Sequence, residues 1–200
     1  MKLIVSGISV PLDHSVCDVY NKAIKLAGVS KNNVSDTWIY KKSVDARKGN
    51  INIVYSVCID LINTQRYKAS ACVSLKEEFE YMPETGKALL PDRPVIVGAG
   101  PAGLFCCYLL TEYGFNPIVV ERGAKTEERI KDVEKFFTSR ILNPSSNIQF
   151  GEGGAGTFSD GKLVTRINDV RCNHVIDTFV KFGAPKEIKY LAKPHVGTDK

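Results

Sequence analysis

Val95-Ile96-Val97-Gly98-Ala99-Gly100-Pro101-Ala102-Gly103 begins with three apolar β-branched residues, which is typical of a strand inside a parallel sheet. Gly98 permits a tight turn, Gly100 lets the backbone approach a phosphate, and Gly103 lets a helix pack closely on the strand. Pro101 suits the first turn of that helix. The stretch therefore predicts a strand, a glycine turn and a helix whose N-terminus faces the pyrophosphate of a dinucleotide.

The residues that follow continue the same unit. Residues 104–113 are apolar nearly all round, which predicts a buried helix, and Gly114 is placed to end it. Residues 116–120 read as a second strand that closes at Glu121. An acidic residue about 20 positions beyond the glycine turn accepts hydrogen bonds from ribose hydroxyls and repels a 2′-phosphate, which favours FAD or NAD over NADP. The alternative is a plain strand-helix-strand unit without a ligand.

Composition limits the class of protein. The chain has 200 residues, 44% of them hydrophobic, so it can form one large domain or two small ones with a buried core. The net charge of +5 suits an anionic ligand and does not by itself imply nucleic acid. The sequence has no membrane-length apolar run, no signal peptide, no Cys-x-x-Cys pair and no zinc spacing. These features predict a cytoplasmic protein without a metal site.

The chain divides into two predicted domains. Residues 1–90 are predicted to form a small ferredoxin-like α/β module, with strands at 2–10, 34–44, 51–62 and 69–75 and a helix at 15–27. Residues 77–93 are charged and proline-rich and are interpreted as a linker. Residues 91–200 are predicted to be an incomplete Rossmann-type FAD-binding domain, so the fold class is α/β.

A basic cluster marks the predicted hairpin around residues 41–48. Its members are Lys41, Lys42, Arg47 and Lys48. A solvated hairpin tip explains them, and so does a surface for RNA or an acidic partner. Because no glycine-aromatic RNA-binding signature accompanies the cluster, nucleic acid is the less favoured partner.

Two arginines follow the second strand of the nucleotide-binding unit. Arg122 and Arg129 are placed either to neutralise a pyrophosphate or to pair on the surface with Glu127 or Asp132. The helix that carries Arg129 is predicted to start near Thr126, with this threonine as its N-cap.

A second glycine-rich stretch runs from Phe150 to Leu163. So many glycines form neither a helix nor a sheet interior, so the stretch is either mobile or lies against a group that bare backbone must approach. Its apolar residues argue against mobility. NAD-only dehydrogenases do not need such an element, which favours FAD. The predicted cofactor contacts are Gly153, Gly154, Ala155, Gly156, Thr157, Ser159 and Gly161.

The last part of the chain has one candidate acid or base. A strand is predicted at 162–167 and a helix at 172–182. His195 lies in a polar, turn-rich segment beyond them, where it could exchange protons near pH 7, although a lone histidine is more often structural.

Together these motifs resemble the bacterial FAD-dependent dehydrogenases of the wider glutathione-reductase-like flavoprotein group. The resemblance rests on Arg93 to Gly103, Glu121-Arg122-Gly123, Asn147 to Leu163 and Lys193 to Asp199, and more loosely on Ser43 to Arg47. It implies extended FAD, with the glycine turn at the pyrophosphate, Glu121 at the adenosine ribose and the second glycine-rich stretch near the flavin. It implies no substrate. Cys107 departs from the group, which often has alanine at this position.

The predicted function is an FAD-dependent oxidoreductase, a dehydrogenase of unknown substrate, with NADH or NADPH as a candidate reductant. The alternative is a non-redox flavoprotein or an RNA-associated module that uses the basic hairpin. Since parallel sheets normally have about five strands, we also expect the chain to be the amino-terminal part of a longer enzyme or a truncated product. It should then bind FAD weakly and expose apolar surface around residues 104–110 and 150–163.

Overall fold

The computed structural model describes residues 1–78, 81, 83, 84, 86, 87, 90–167 and 169–197, and for Lys48 the backbone alone. These residues divide into two compact units, the first chiefly Met1–Met82 and Lys162–Val196, the second chiefly Pro83–Gly161. The predicted linker lies partly outside the described residues, and Thr198 and Asp199 of the closing motif lie wholly outside them. No helix in the described ranges is long and apolar enough to cross a bilayer.

The first unit is built on a four-stranded antiparallel sheet. Its strands, in the spatial order β2-β3-β1-β4, are β1 (Lys2–Val10), β2 (Val34–Asp45), β3 (Asn52–Leu61) and β4 (Val73–Leu75). Period-two alternation in β1 buries Leu3 and Val5 completely. The three longer strands agree with the predicted ranges to within a residue, whereas only Val73–Leu75 of the predicted strand at 69–75 forms.

One helix covers the core face of this sheet. Helix α1 (Val16–Ala27) begins after Ser15, whose hydroxyl accepts a hydrogen bond from the Cys17 N–H, and ends at Gly28 in the left-handed conformation. Its buried stripe is Val19, Ala23 and Ala27, and these residues join the apolar side chains of β1 and β3 in one continuous core. Helical periodicity in the sequence therefore predicted this element correctly.

The ferredoxin-like interpretation is not confirmed. That fold has a second crossover helix before its last strand. Here residues 62–72, all of them described, connect β3 to β4 without a helix. The antiparallel sheet and helix α1 packed on it establish a mixed α/β unit, and the finer assignment stays a prediction.

Residues 162–196 belong to the first unit. The predicted strand at 162–167 is wrong, because among these residues only Lys162 forms a β-bridge, an isolated pairing with His195. Helix α4 (Val170–Lys181) follows, capped by Asp169. The chain then pairs with β2: the Lys42 N–H donates to the Tyr190 carbonyl at 2.7 Å, and the Ala192 N–H donates to the Lys42 carbonyl at 2.9 Å. The sequence interpretation grouped this segment with the nucleotide-binding domain instead.

The second unit contains the glycine turn from Gly98 to Gly103. Strands β5 (Val95–Val97) and β6 (Ile118–Val120) are parallel, with Val95 opposite Ile118 and Val97 opposite Val120. Helix α2 (Pro101–Glu112) connects them, and helix α3 (Thr126–Ser139) follows. This strand-helix-strand order with a parallel sheet was predicted from the sequence and is confirmed.

Helix α2 is not buried as its composition predicted. None of its residues is buried, and Leu104 is 43% exposed. One face of the two-stranded sheet is also open, with Val97 86% exposed. The physical reason is geometric, because a sheet of two short strands offers an apolar helix only a narrow face to pack on.

Candidate dinucleotide-binding site

The glycine turn connects β5 to α2 in a conformation that requires glycine. Gly98 has a φ of +106°, and its N–H donates to the Val120 carbonyl at 2.7 Å. A Cβ on Gly103 would lie 1.9 Å from the carbonyl oxygen of Gly98, so no other residue fits there without movement. The sequence-predicted roles of these two glycines in the turn and in helix packing therefore correspond to their geometry.

Gly100 differs from its neighbours. It is the N-cap of α2 and has an ordinary φ of −75°. A Cβ built on it would meet no atom within 4 Å. Neither backbone strain nor packing therefore demands glycine at position 100. The first-turn N–H groups of an α-helix have no intrahelical acceptor, so this end of α2 can donate to an anion.

Glu121 lies at the end of β6, as predicted, and its carboxylate is bonded to backbone. Oε2 accepts from the Ala99 N–H at 2.6 Å, and Oε1 accepts from the Gly123 N–H at 2.8 Å. These two hydrogen bonds lower the pKa of Glu121 below its ordinary value. Each carboxylate oxygen has a second lone pair, so the geometry leaves acceptor capacity for a ribose hydroxyl. The ribose role itself stays a prediction.

The two candidate arginines have different environments. The Arg122 guanidinium lies 4.3 Å from the centre of the Phe150 ring. Arg129 is completely buried, and each of its three guanidinium nitrogens donates to the segment 147–157. Surface pairing of Arg129 with Glu127 or Asp132 is therefore wrong. Its direct contact with a pyrophosphate is also disfavoured, because its donors are already used.

The second glycine-rich stretch lies against the first. The Gly153 N–H donates to the Ala99 carbonyl at 2.8 Å, and a Cβ on Gly154 would lie 3.1 Å from Pro101 Cδ. Residues Gly154–Phe158 form a short 3-10 helix. Ala155, Gly156 and Ser159 are exposed, Gly161 is partly exposed with a φ of +73°, and their predicted cofactor contacts stay predictions.

Several glycines of this stretch are explained by protein packing. A Cβ on Gly153 would lie 2.1 Å from the hydroxyl of Thr157, and one on Gly151 would lie 2.5 Å from Arg129 Cδ. Likewise, a Cβ on Gly123 would lie 2.5 Å from the Cα of Gly151. The sequence predicted that the backbone of this stretch lies close to another group. In the structure, part of that group is the protein itself, namely the side chains of Thr157 and Arg129 and the backbone of Gly123.

Glu152 is a residue that sequence reasoning missed. Its Oε2 accepts from the Thr126 N–H at 2.8 Å and from the Thr126 hydroxyl at 3.0 Å, and these bonds lower the pKa of Glu152. The N-cap position itself is Lys125, which makes no side-chain cap bond, so the prediction of Thr126 as N-cap is wrong. No local spacing signals this contact, because the partners are distant in sequence.

The remaining candidates lie in the first unit. His195 is exposed and pairs through its backbone with Lys162; its catalytic role stays a prediction. In the basic hairpin, Arg47 donates two side-chain hydrogen bonds to Asp45, which partly neutralises the cluster. The side chain of Lys48 lies outside the described residues. Within the described part of the chain, no group of three His, Cys, Asp or Glu side chains could hold a metal ion.

Comparison with known proteins agrees with this geometry. Residues 96–132 match an NAD(P)-binding Rossmann-like domain. Residues 2–60 match a domain of unknown function, DUF8436. A protein of Clostridium beijerinckii described as uncharacterized is 43% identical across the whole of this chain. The chain spans 38% of the length of that relative. The Rossmann-like match shows that residues 96–132 are similar to NAD(P)-binding domains, and it specifies neither the cofactor nor an activity.

Proposed function

We propose that this chain binds FAD through its second unit and forms the dinucleotide-binding part of an FAD-dependent oxidoreductase. The observation that carries the proposal is the turn from β5 to α2, in which Gly98 and Gly103 are required by the backbone and Gly100 is not. A glycine without a structural reason, at the N-terminus of a helix in a Rossmann-like segment, is explained by close approach of a phosphate.

The residues present fit the group. Gly98 to Gly103 and the first-turn N–H groups of α2 would hold the pyrophosphate. Glu121 would accept from the ribose with its remaining lone pairs, and its negative charge disfavours a 2′-phosphate. Ala155, Gly156 and Ser159 would contact the cofactor from the second glycine-rich stretch. Bound FAD would supply the hydride chemistry, with NADH or NADPH as its source.

The test is titration of the purified protein with FAD, NAD⁺ and NADP⁺ by calorimetry, together with the visible absorbance of bound flavin. We expect binding of FAD in preference to NADP⁺ and loss of binding in Gly100→Val, because a branched side chain would occupy the space for the pyrophosphate. Thr111→Val, at the exposed far end of the same helix, is the matched control. Equal FAD affinity in Gly100→Val and wild type would refute the phosphate site.

Reduction of the bound flavin distinguishes an oxidoreductase from a non-redox flavoprotein. Stoichiometric bleaching of the flavin by NADH or NADPH would support an oxidoreductase. Tight FAD binding without reduction by either nucleotide would instead indicate a non-redox flavoprotein. Salt-sensitive RNA binding that is lost on replacing Lys41 and Lys42 would favour the RNA-associated module.

A further inference from the structure

Arg129 is the one fully buried side chain among the charged residues that the structure describes. Its hydrogen bonds go to the carbonyls of Asn147, Ile148, Glu152 and Gly154 and to the hydroxyl of Thr157. The guanidinium carbon also lies 4.9 Å from the centre of the Phe158 ring. All of these contacts fall on one segment, residues 147–158, which contains the glycines that touch the phosphate-binding turn.

A buried cation is unfavourable unless its hydrogen-bonding groups are satisfied. Burial lowers the pKa of Arg129, while the charges of Glu121 and Glu152 oppose that effect. Five N–H donors in a rigid planar fork can bind several carbonyl groups at once, which an ammonium cannot do in the same geometry. The placement therefore suits a group that fixes the path of a loop that has little regular structure.

The backbone around Arg129 is adapted to it. Gly151 has a φ of +113°, and a Cβ there would lie 2.5 Å from Arg129 Cδ and 2.7 Å from Nε. Two residues further on, the loop contacts the turn through the Gly153–Ala99 hydrogen bond of 2.8 Å. Arg129 is thus connected to the turn from β5 to α2 through the loop it binds.

We infer that Arg129 is a positioning residue for the dinucleotide site. It holds the segment 147–158 against the glycine turn, so that both glycine-rich stretches have their binding geometry before the pyrophosphate arrives. A loop ordered in advance does not lose that conformational freedom on binding, and this raises affinity without any direct contact. The part of this inference that concerns affinity rests on the proposed function, whereas the ordering of the loop does not.

The loop is tested first without any nucleotide, by hydrogen exchange in wild type, Arg129→Met and Arg129→Lys. We expect exchange at the amides of Gly153 and Gly154 to rise by at least about tenfold in Arg129→Met. Amides of β1 and β3 in the first unit should be unchanged. Lys131→Met is the matched control, since it removes an exposed cation from the same helix α3, and it should leave both sets unchanged.

If Arg129→Met unfolds the second unit, Arg129→Lys provides the test instead. Lysine keeps the charge and can satisfy only part of the carbonyl set, so an intermediate increase in exchange is expected. Unchanged exchange over 147–158 in either variant, with the second unit folded, would overturn the inference.

FAD binding is measured next, with affinity and stoichiometry determined separately. A positioning role predicts that Arg129→Lys weakens FAD binding by about tenfold at unchanged stoichiometry. It also predicts that Arg129→Met, which removes the charge, leaves the dependence of the Kd on salt unchanged. A flatter salt dependence would show that Arg129 touches the phosphates directly, and a fall in stoichiometry alone would show general unfolding; either result overturns it. If wild type binds no dinucleotide, the proposed function fails, and the exchange data still decide the role of Arg129.

Discussion

Gly100 and Gly103 differ in what surrounds them, although they lie in the same turn. A Cβ built on Gly100 would meet no atom within 4 Å, whereas a Cβ built on Gly103 would lie 1.9 Å from the carbonyl oxygen of Gly98. Gly103 is therefore required for packing of the turn, whereas Gly100 is not and leaves space for a ligand. Alanine, the smallest possible addition, separates these two roles.

Gly103→Ala should lower the free energy of unfolding of the second unit by about 1–3 kcal/mol, because the methyl group must displace packed backbone. Gly100→Ala should change it by less than about 1 kcal/mol, since only a modest N-cap preference is lost. Urea unfolding of both variants, followed by FAD titration of Gly100→Ala, measures the two effects. Similar loss of stability in both would contradict the assignment.

Glu121 gives a pH dependence whose sign follows from its hydrogen bonds. The N–H groups of Ala99 and Gly123 stabilise the ionised carboxylate, so its pKa is lower in the folded than in the unfolded protein. Its contribution to stability is complete above the ordinary pKa of 4.5 and is lost as the pH falls through the lower value of the folded state.

Glu121→Gln should therefore flatten the acid limb of the stability curve of the second unit. The measurement is urea unfolding at a series of pH values below 6 for both proteins. Glu134→Gln, an exposed change on α3, is the control and should retain the wild-type slope. If Glu121→Gln and wild type lost stability in parallel on acidification, the two backbone hydrogen bonds would not be responsible.

At the scale of elements, helix α3 begins with a cap supplied from outside its own segment. Glu152→Ala should lower the free energy of unfolding of the second unit by about 1 kcal/mol, because it leaves the Thr126 N–H without its carboxylate acceptor. Glu152→Gln keeps one acceptor oxygen and should lose less. Chemical unfolding of the two variants compares them, and equal stability of Glu152→Ala and wild type would contradict the capping role.

Elements with local signals were predictable from the sequence. Helix α1 has its cap residues and its apolar stripe within one segment, and β5 is specified by β-branched residues directly before the glycine turn. The predicted strand at 162–167 failed because a strand needs a partner, and only Lys162 has one. Strand pairing is decided by distant segments, about which a local pattern carries no information.

The same limit applies to the candidate site. The turn and Glu121 could be located because their spacing follows from strand and helix geometry. The contacts of Arg129 and Glu152 could not, since the Arg129–Gly154 and Glu152–Thr126 hydrogen bonds join α3 to a loop 25 and 26 residues away. The two backbone hydrogen bonds of Glu121 could not be predicted either, because its spacing from the glycine turn indicates only a role in ligand binding.

At the scale of the whole molecule, the two units differ in how much core they contain. The continuous cluster of buried apolar side chains among the described residues belongs entirely to the first unit. In the second unit, the described buried apolar residues are Ile96, Ala99 and Val133. Burial of apolar surface is the main favourable term in folding, so we expect the second unit to unfold at lower temperature than the first.

FAD should raise the stability of the second unit selectively. At a free concentration of 100 times its Kd, a ligand that binds only the folded state adds about 2.7 kcal/mol. Hydrogen exchange of the protein with and without FAD should therefore show slower exchange in α2 and β6 and unchanged exchange in β1 and β3. Equal protection of both units by FAD would show that they unfold together.

The pairing of Lys42 with Leu191 has a consequence for synthesis of the chain on the ribosome. The segment that pairs with this part of β2 is made about 150 residues after it, with the whole second unit in between. At translation rates of about 5–20 residues per second, that part of β2 waits for its partner for about 7–30 s. During this interval its backbone N–H and C=O groups are an exposed strand edge, which other nascent chains can pair with. The lysines at positions 41 and 42 place positive charge on that edge, and charged side chains of this kind discourage such pairing.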